Sequence, residues 1–305
     1  MKNNTTILHK ALLILFVFSG YFLQAQNAED YAFSASSGTF TSISGTGTDL
    51  DGIEGDDSYV TGLAIGFTFD YCGGSYTTVS VSSNGWVSFA TAVSSSLTND
   101  LDGTTDPTLA PLWDDLEGGS SVAGSNAYYQ TTGSAGSRVF TIEWNNWGLN
   151  YAANTAVISF QVKLYEADNH IEYIYSQAAG AVNSGSASIG IADGATGATH
   201  FISLEGTGTS PTYSTTLETI DLATKPATGQ VYSFTPGASM VFSSCTSFQN
   251  TTTTVYQSES NVEVIGIQIV TTGSSSPLSF DQLDLTTSGC SNASGDIQNA
   301  KLWST

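Results

Sequence analysis

Val79-Ser-Val-Ser-Ser-Asn-Gly-Trp-Val-Ser-Phe89 opens the stretch that decides the fold. It is followed by Ala110-Pro-Leu-Trp-Asp-Asp-Leu-Glu117, Arg138-Val-Phe-Thr-Ile-Glu-Trp-Asn-Asn-Trp147, Ile158-Ser-Phe-Gln-Val-Lys-Leu-Tyr-Glu166 and His170-Ile-Glu-Tyr-Ile-Tyr-Ser176. Apolar and polar residues alternate through these runs. Ile158, Phe160, Val162 and Leu164 fall on one face, with Ser159, Gln161 and Lys163 on the other. A period of two marks half-buried antiparallel strands. Asn84-Gly85 and Asp168-Asn169 are turn chemistry between such runs, because these residues tolerate positive φ.

Working outward, Leu63, Ile65, Phe67 and Phe69 repeat the alternation upstream. Strand runs recur from about Tyr31 to Thr235 at spacings typical of a sandwich or jelly roll. After residue 25 no stretch sustains apolar residues at helical spacing. The expected fold class is therefore all-β: an antiparallel β-sandwich of jelly-roll type over residues 26–236, then a second, incomplete sandwich over residues 237–305. Pro236-Gly237 marks the boundary, since a new pattern starts at Met240-Val241-Phe242.

Lys2 and Lys10 flank an apolar run from Ala11 to Phe18, and Leu23-Gln24-Ala25 places a small residue at a cleavage position. This reads as a signal peptide over residues 1–25, leaving Gln26 as the mature N-terminus. The expected location is extracellular or at the cell surface, with no membrane insertion once the leader is removed. Cleavage leaves four basic residues against 27 acidic ones, a net charge of −23. Such a surface repels phosphate backbones, which excludes nucleic-acid partners; glycans and extracellular or surface proteins are the expected partner classes.

In the second segment Val264-Ile-Gly-Ile-Gln-Ile-Val270, Thr272-Gly-Ser274, Pro277-Leu-Ser279 and Ser294-Gly-Asp-Ile-Gln-Asn-Ala-Lys301 stand together. On these motifs residues 238–305 resemble the N-terminal associated domain of BNR-repeat neuraminidases. That resemblance implies a β-sandwich that continues beyond Thr305, so the chain is expected to be the front of a longer protein. The first segment, through SSNGWVSF, APLWDDL and ISFQVKLYEADNHIEYIY, resembles β-rich modules of large secreted proteins of the type IX secretion class.

The neuraminidase association does not bring sialidase chemistry with it. A sialidase holds its substrate carboxylate with three arginines, and Arg138 is the only arginine in the chain. No Gly-x-Ser-x-Gly elbow occurs. His170 and His200 read as ordinary surface or core histidines. Asp114, Asp115, Glu117 and Glu143 beside tryptophans offer carboxylates, but acidic residues are too common here for a pair to identify a glycosidase. No catalytic residue is assigned, and the chain is expected not to be an enzyme.

Three further groups are candidates. Asp49, Asp51 and Asp56 in one loop, and Asp100, Asp102 and Asp106 in another, place carboxylates two apart around glycine, the oxygen-rich pattern of a structural calcium site. Solvated acidic loops are the competing reading. Trp147, Asn150 and Tyr151 lie past an expected strand and could form a sugar platform, aromatic faces stacking on pyranose rings while the amide bonds hydroxyls; ordinary packing is the competing reading and is set ahead of it. Trp144 continues the inward phase of Phe140 and Ile142 and is assigned to the core. Cys245 and Cys290 lie in one module and could bridge in an oxidising compartment; Cys72 reads as a buried small apolar residue. The expected function is adhesion, display or matrix interaction by a secreted modular protein. Two alternatives stand beside it: an accessory region of a glycan-active enzyme whose catalytic domain follows residue 305, and a carbohydrate-binding module.

Overall fold

Alternating strands pair into sheets in the computed structural model, which describes residues 26–93, 98–182, 185–238, 240–249, 265–273 and 278. Two seven-stranded antiparallel sheets lie within one compact unit, Gln24–Ala238. The first is built from β1 (Ala32–Ser37), β2 (Thr48–Asp49), β7 (Asn126–Thr132), β8 (Val139–Trp147), β9 (Ile158–Tyr165), β10 (Ile171–Gln177) and β14 (Gln230–Thr235), in the order β1-β14-β10-β9-β8-β7-β2. The second contains β3 (Tyr59–Tyr71), β4 (Gly74–Ser82), β5 (Val87–Ser88), β6 (Pro107–Trp113), β11 (Ser188–Asp193), β12 (Phe201–Leu204) and β13 (Tyr213–Ser214), in the order β13-β12-β11-β6-β5-β4-β3. Only short 3-10 turns interrupt the strands, and no α-helix occurs among the described residues.

The inward faces are those the alternation assigns. Ile65, Phe67 and Phe69 of β3 meet Phe140, Ile142 and Trp144 of β8 and Phe160, Val162 and Leu164 of β9 in a single buried cluster. Trp144 stacks on Phe160 with ring centroids 4.8 Å apart. Burying aromatic and branched side chains from both sheets supplies the main stabilisation, at roughly 25 cal/mol per Å² of apolar surface. Two tyrosine hydroxyls buried within this interior are paired. Tyr173 Oη donates to the Gly190 carbonyl at 2.9 Å and Tyr175 Oη to the Pro111 carbonyl at 2.7 Å, each tying β10 of one sheet to a strand of the other.

Trp147 departs from strict alternation. Counting by twos from Trp144 would turn it to the outer face, where it would be free to serve as a sugar platform. The β8–β9 register shifts between Trp144 and Trp147, and Asn146 takes φ +58°. This bulge inserts one residue, so the following side chain returns to the core. Trp147 is 0% exposed and donates its indole N–H to the Ser83 carbonyl at 3.0 Å.

The outer face of the first sheet is partly covered by its own chain. β1 and β2 are the two edges of that sheet, so the link between them, residues 38–47, must cross five strands. At about 4.8 Å between strands the crossing spans roughly 29 Å, and ten extended residues reach about 33 Å. A nearly straight strap results, and its anchors follow the strand order. Gly38 lies against Val231 and Ile174, the Thr41 carbonyl accepts from Gln161 Nε2 at 2.9 Å, and Thr46 Oγ1 donates to Gln130 Oε1 at 3.0 Å. Beneath it, the buried carboxylate of Glu143 accepts from Ser42 Oγ (2.6 Å), the Ile43 N–H (2.7 Å) and Gln161 Nε2 (2.7 Å).

The long edge strand β3 is shielded as well. Its Ile65 carbonyl accepts from Thr131 Oγ1 at 2.7 Å, and its Gly66 carbonyl from Arg138 Nη1 at 2.5 Å. Its Asp70 N–H donates to Asn169 Oδ1 at 3.1 Å. Occupying these edge groups from the opposite sheet blocks strand addition. Arg138 also forms a bidentate pair with Glu166 and lies 5.4 Å from the Phe67 ring centroid. The hydrogen bonds from this guanidinium hold the Glu166 carboxyl down at about 2.

The other unit contains a two-stranded antiparallel sheet, β15 (Val241–Phe248) with β16 (Gly266–Thr272). Val241, Phe242, Phe248, Ile265, Ile269 and Val270 are exposed on it. Cys245 is exposed, whereas Cys290 and the stretches Pro277–Leu285 and Asp296–Trp303, apart from Leu278, lie outside the described residues. Cys72 is buried as expected, and burial pushes its thiol well above the ordinary range.

Candidate functional site

Three loops meet at one end of the sandwich around a turn that is itself buried. Ser82, Ser83 and Asn84 are each 0% exposed, although a hairpin turn normally lies in water. Gly85 takes φ +73°, and a Cβ there would stand 2.0 Å from the Leu112 carbonyl oxygen. Only glycine satisfies both constraints. Buried turn carbonyls need donors, and the two core tryptophans supply them. Trp144 Nε1 donates to the Ser82 carbonyl at 2.9 Å, and Trp147 Nε1 to the Ser83 carbonyl at 3.0 Å.

Asn84 links the loops. Its Nδ2 donates to Asp57 Oδ1 at 2.8 Å, and its Oδ1 accepts from the Leu116 N–H at 2.9 Å. The loop ending at Ser58 is fixed further by Ser58 N–H to Ser83 Oγ at 2.9 Å. The Asp114 carboxylate accepts from Ser186 N–H at 2.7 Å and Ser186 Oγ at 2.9 Å.

Around this frame lies an acidic rim. Carboxylate oxygens of Asp56, Asp57 and Asp115 lie within 4.8 Å of one another. Burial first, and then the charges of Asp57, Asp56, Asp114 and Glu117, raise the Asp115 carboxyl to about 6. Burial also raises Glu117.

A second acidic group joins Asp100, Asp102 and Glu218, again within 4.8 Å. Glu218 accepts from the Leu101 N–H (2.8 Å), the Asp102 N–H (3.2 Å) and Ser188 Oγ (3.0 Å). Burial, followed by hydrogen bonding and repulsion from Asp102, raises Asp100; burial raises Glu218. A cleft of about 290 Å³ adjoins this group, with Asp106, Thr108, Trp86 and Trp113 among its walls.

The six aspartates named from sequence are thus divided. Asp100 and Asp102 come together, with Glu218 as a third member from 116 residues later. Asp56 joins Asp57 and Asp115, whereas Asp49, Asp51 and Asp106 belong to neither group. Oxygen-only sets of three suit a hard divalent cation in donor type, yet calcium takes six to eight oxygens. Backbone carbonyls and water would have to supply the remainder. Glu218 escapes a sequence reading because nothing local in Thr216-Leu-Glu-Thr219 signals a partner so far back in the chain.

The proposed sugar platform is reduced by the burial of Trp147. Tyr151 is 59% exposed, and Asn150 lines a shallow cleft of about 270 Å³ with Leu149, Ala152, Asn154 and Val157. These two residues remain accessible, but without the second aromatic face. Asn150 Oδ1 also accepts from the Ala152 N–H at 3.0 Å, which fixes the loop.

His170 and His200 each have a carboxylate partner. His200 Nδ1 lies 3.0 Å from Asp193 Oδ2, and the same carboxylate accepts from the Ala28 N–H at 3.0 Å and the Ala195 N–H at 2.9 Å. His170 Nδ1 lies 2.5 Å from Asp168 Oδ1, with its ring stacked on Tyr165 at 3.8 Å.

Comparison with known proteins supplies one match. A family model described as NIDO related matches residues 30–236, from just before β1 to just past β14. Searches of the curated proteins and of the solved structures return no match. The matched residues span nearly the whole two-sheet sandwich, including the buried Ser82–Gly85 turn and all three loops joined to it, and the chain therefore belongs to the NIDO-related family.

Proposed function

We propose that this chain is an extracellular, non-catalytic module serving adhesion, display or matrix interaction at a cell surface. The observation that carries the reading is the use made of the interior polar groups. Glu143, Asp114 and Asn84 hold a strap and loops in place, and the space between the sheets is filled with apolar side chains. Such a body presents a shaped, acidic surface on a rigid scaffold, the property a binding module needs. Membership in the NIDO-related family is consistent with this, and the leader at residues 1–25 supports export.

The test is retention of beads. Beads coated with the purified chain are washed over intact cells of the producing organism and over their secreted matrix, with a glycan array in parallel. Saturable retention competed by free chain is expected. No retention on either surface and no glycan bound would overturn the reading.

The neuraminidase-associated resemblance of residues 238–305 favours a second reading, an accessory region of a glycan-active enzyme. Sialidase activity from the protein encoded by the full reading frame, lost on substitution of residues beyond Thr305, would select it.

A further inference from the structure

Exposed apolar side chains on the two-sheet unit gather in one loop. Tyr213 is 47% exposed, Leu217 71% and Ile220 54%, and among the described residues of that unit only Tyr59 and Tyr151 are large, apolar and comparably exposed. The exposure does not come from a slack backbone. The Leu217 N–H donates to Ser214 Oγ at 2.9 Å, the Thr219 N–H to Ser203 Oγ at 3.0 Å, and the Thr219 carbonyl accepts from Ser188 Oγ at 2.8 Å. Ser188 and Ser203 are fully buried residues of β11 and β12, so the loop is tied directly to the second sheet. Leu222 then pairs with Ala187 in both directions. A loop fixed this closely that still turns Leu217 and Ile220 to water presents an apolar surface to a partner.

The chemistry between those two side chains is acidic. Glu218 follows Leu217, and its carboxylate lies within 4.8 Å of those of Asp100 and Asp102. The described basic side chains are engaged elsewhere. Arg138 pairs with Glu166, Lys163 stands opposite Glu172 in the first sheet, and Lys225 donates to three carbonyls. Water can solvate the three carboxylates but leaves Leu217 and Ile220 uncovered, and a metal ion would do the same. A cation carried beside apolar groups satisfies both.

We propose that the surface formed by Leu217, Glu218 and Ile220 with Asp100 and Asp102 docks a basic amphipathic segment of a partner protein. A lysine or arginine of that segment meets the carboxylates, while aliphatic or aromatic neighbours cover Leu217 and Ile220. An arginine there could engage a carboxylate through two parallel hydrogen bonds. The excess of 27 acidic over six basic residues steers such a partner inward and repels anionic membranes and nucleic acid. This deepens the adhesion reading, on which it rests, by naming the class of partner.

The test titrates the full chain and its variants against two short fluorescent peptides at physiological salt, one alternating lysine with leucine and the other lysine with serine. The lysine–leucine peptide is expected to bind about tenfold tighter or more, the factor that burying one aliphatic side chain supplies. Leu217→Ser with Ile220→Ser should abolish that preference without moving the urea midpoint, because both side chains are exposed. Asp100→Asn with Asp102→Asn should weaken both peptides about tenfold, whereas Asp56→Asn with Asp115→Asn, which removes equal charge at the other acidic group, should change either by less than about twofold.

Equal affinity for the two peptides, or equal losses from the two aspartate pairs, would overturn the proposal. A calcium requirement for peptide binding would assign the carboxylates to a metal and overturn it too. Peptide selectivity as expected, with no retention of beads on cells or matrix, would sink the adhesion reading and leave the docking surface standing. Retention that persists in the Leu217→Ser, Ile220→Ser variant, with no peptide selectivity in the wild type, would do the reverse.

Discussion

Replacing Asn84 by alanine should loosen the acidic end of the sandwich, and the structure sets the size of the effect. The buried Leu116 N–H loses its acceptor at 2.9 Å, and Asp57 loses its amide donor at 2.8 Å. A buried donor left unsatisfied costs about 1–3 kcal/mol. Leu116 is fully buried and belongs near the top of that range, while half-buried Asp57 can recover a water and belongs near the bottom. The total is about 4 kcal/mol. With a urea slope of about 2–3 kcal/mol per molar, the unfolding midpoint should fall by roughly 1.3–2 M.

Asn84→Asp is the informative companion. It keeps an acceptor for Leu116 but sets a second carboxylate against Asp57. Its penalty should therefore be larger at pH 8 than at pH 5, while that of Asn84→Ala should change little. Urea melts followed by tryptophan fluorescence at both pH values measure this directly. An Asn84→Ala penalty below about 1 kcal/mol, or an Asn84→Asp penalty indifferent to pH, would refute the view that this side chain joins the loops.

Three further expectations follow from the same geometry. Asp115 has a folded pKa of about 6, above the unfolded aspartate value of about 3.9, so its ionised form is disfavoured in the fold. Its contribution to stability should rise as pH falls from about 7 towards 4; discounted for solvent screening, the gain is on the order of 1 kcal/mol, and Asp115→Asn should stabilise the protein at pH 7 and flatten that part of the melting-temperature profile. Lys225 Nζ donates to the carbonyls of Val157 (3.0 Å), Ala178 (2.8 Å) and Gly180 (2.7 Å), so Lys225→Met should cost about 2 kcal/mol in urea melts. Trp147→Ala should cost about 3–5 kcal/mol as a core truncation, while any glycan binding found on an array should respond to Tyr151→Ala and not to the conservative Trp147→Phe.

Much of the sandwich is legible in the sequence because period-two patterns act locally. β3, β8, β9 and β10 each show their inward face in the residues themselves, and Asn84-Gly85 and Asp168-Asn169 mark the turns between strands. What escapes depends on distance or on a single inserted residue. The Asn146 bulge reverses the phase after Trp144 and brings Trp147 inside. Asn145-Asn146 is the available signal, since asparagine accepts positive φ. The strap at residues 38–47 consists of Gly, Ser and Thr around Phe40 and Ile43, and nothing in that composition says that it crosses a sheet. The acidic groups depend on Asp57, Asp115 and Glu218, whose neighbours come from loops far apart in sequence. Spacing within one loop therefore finds only part of each group.

Surface shaving of intact cells tests the central claim most directly. Cells producing the full protein are treated with an external protease, and peptides of residues 26–238 are quantified in the released fraction, the culture medium and the lysate. The account predicts that these peptides appear in the medium or the shaved fraction, while a cytoplasmic marker stays in the lysate. Peptides confined to the lysate and protected from protease until the cells are broken would contradict it.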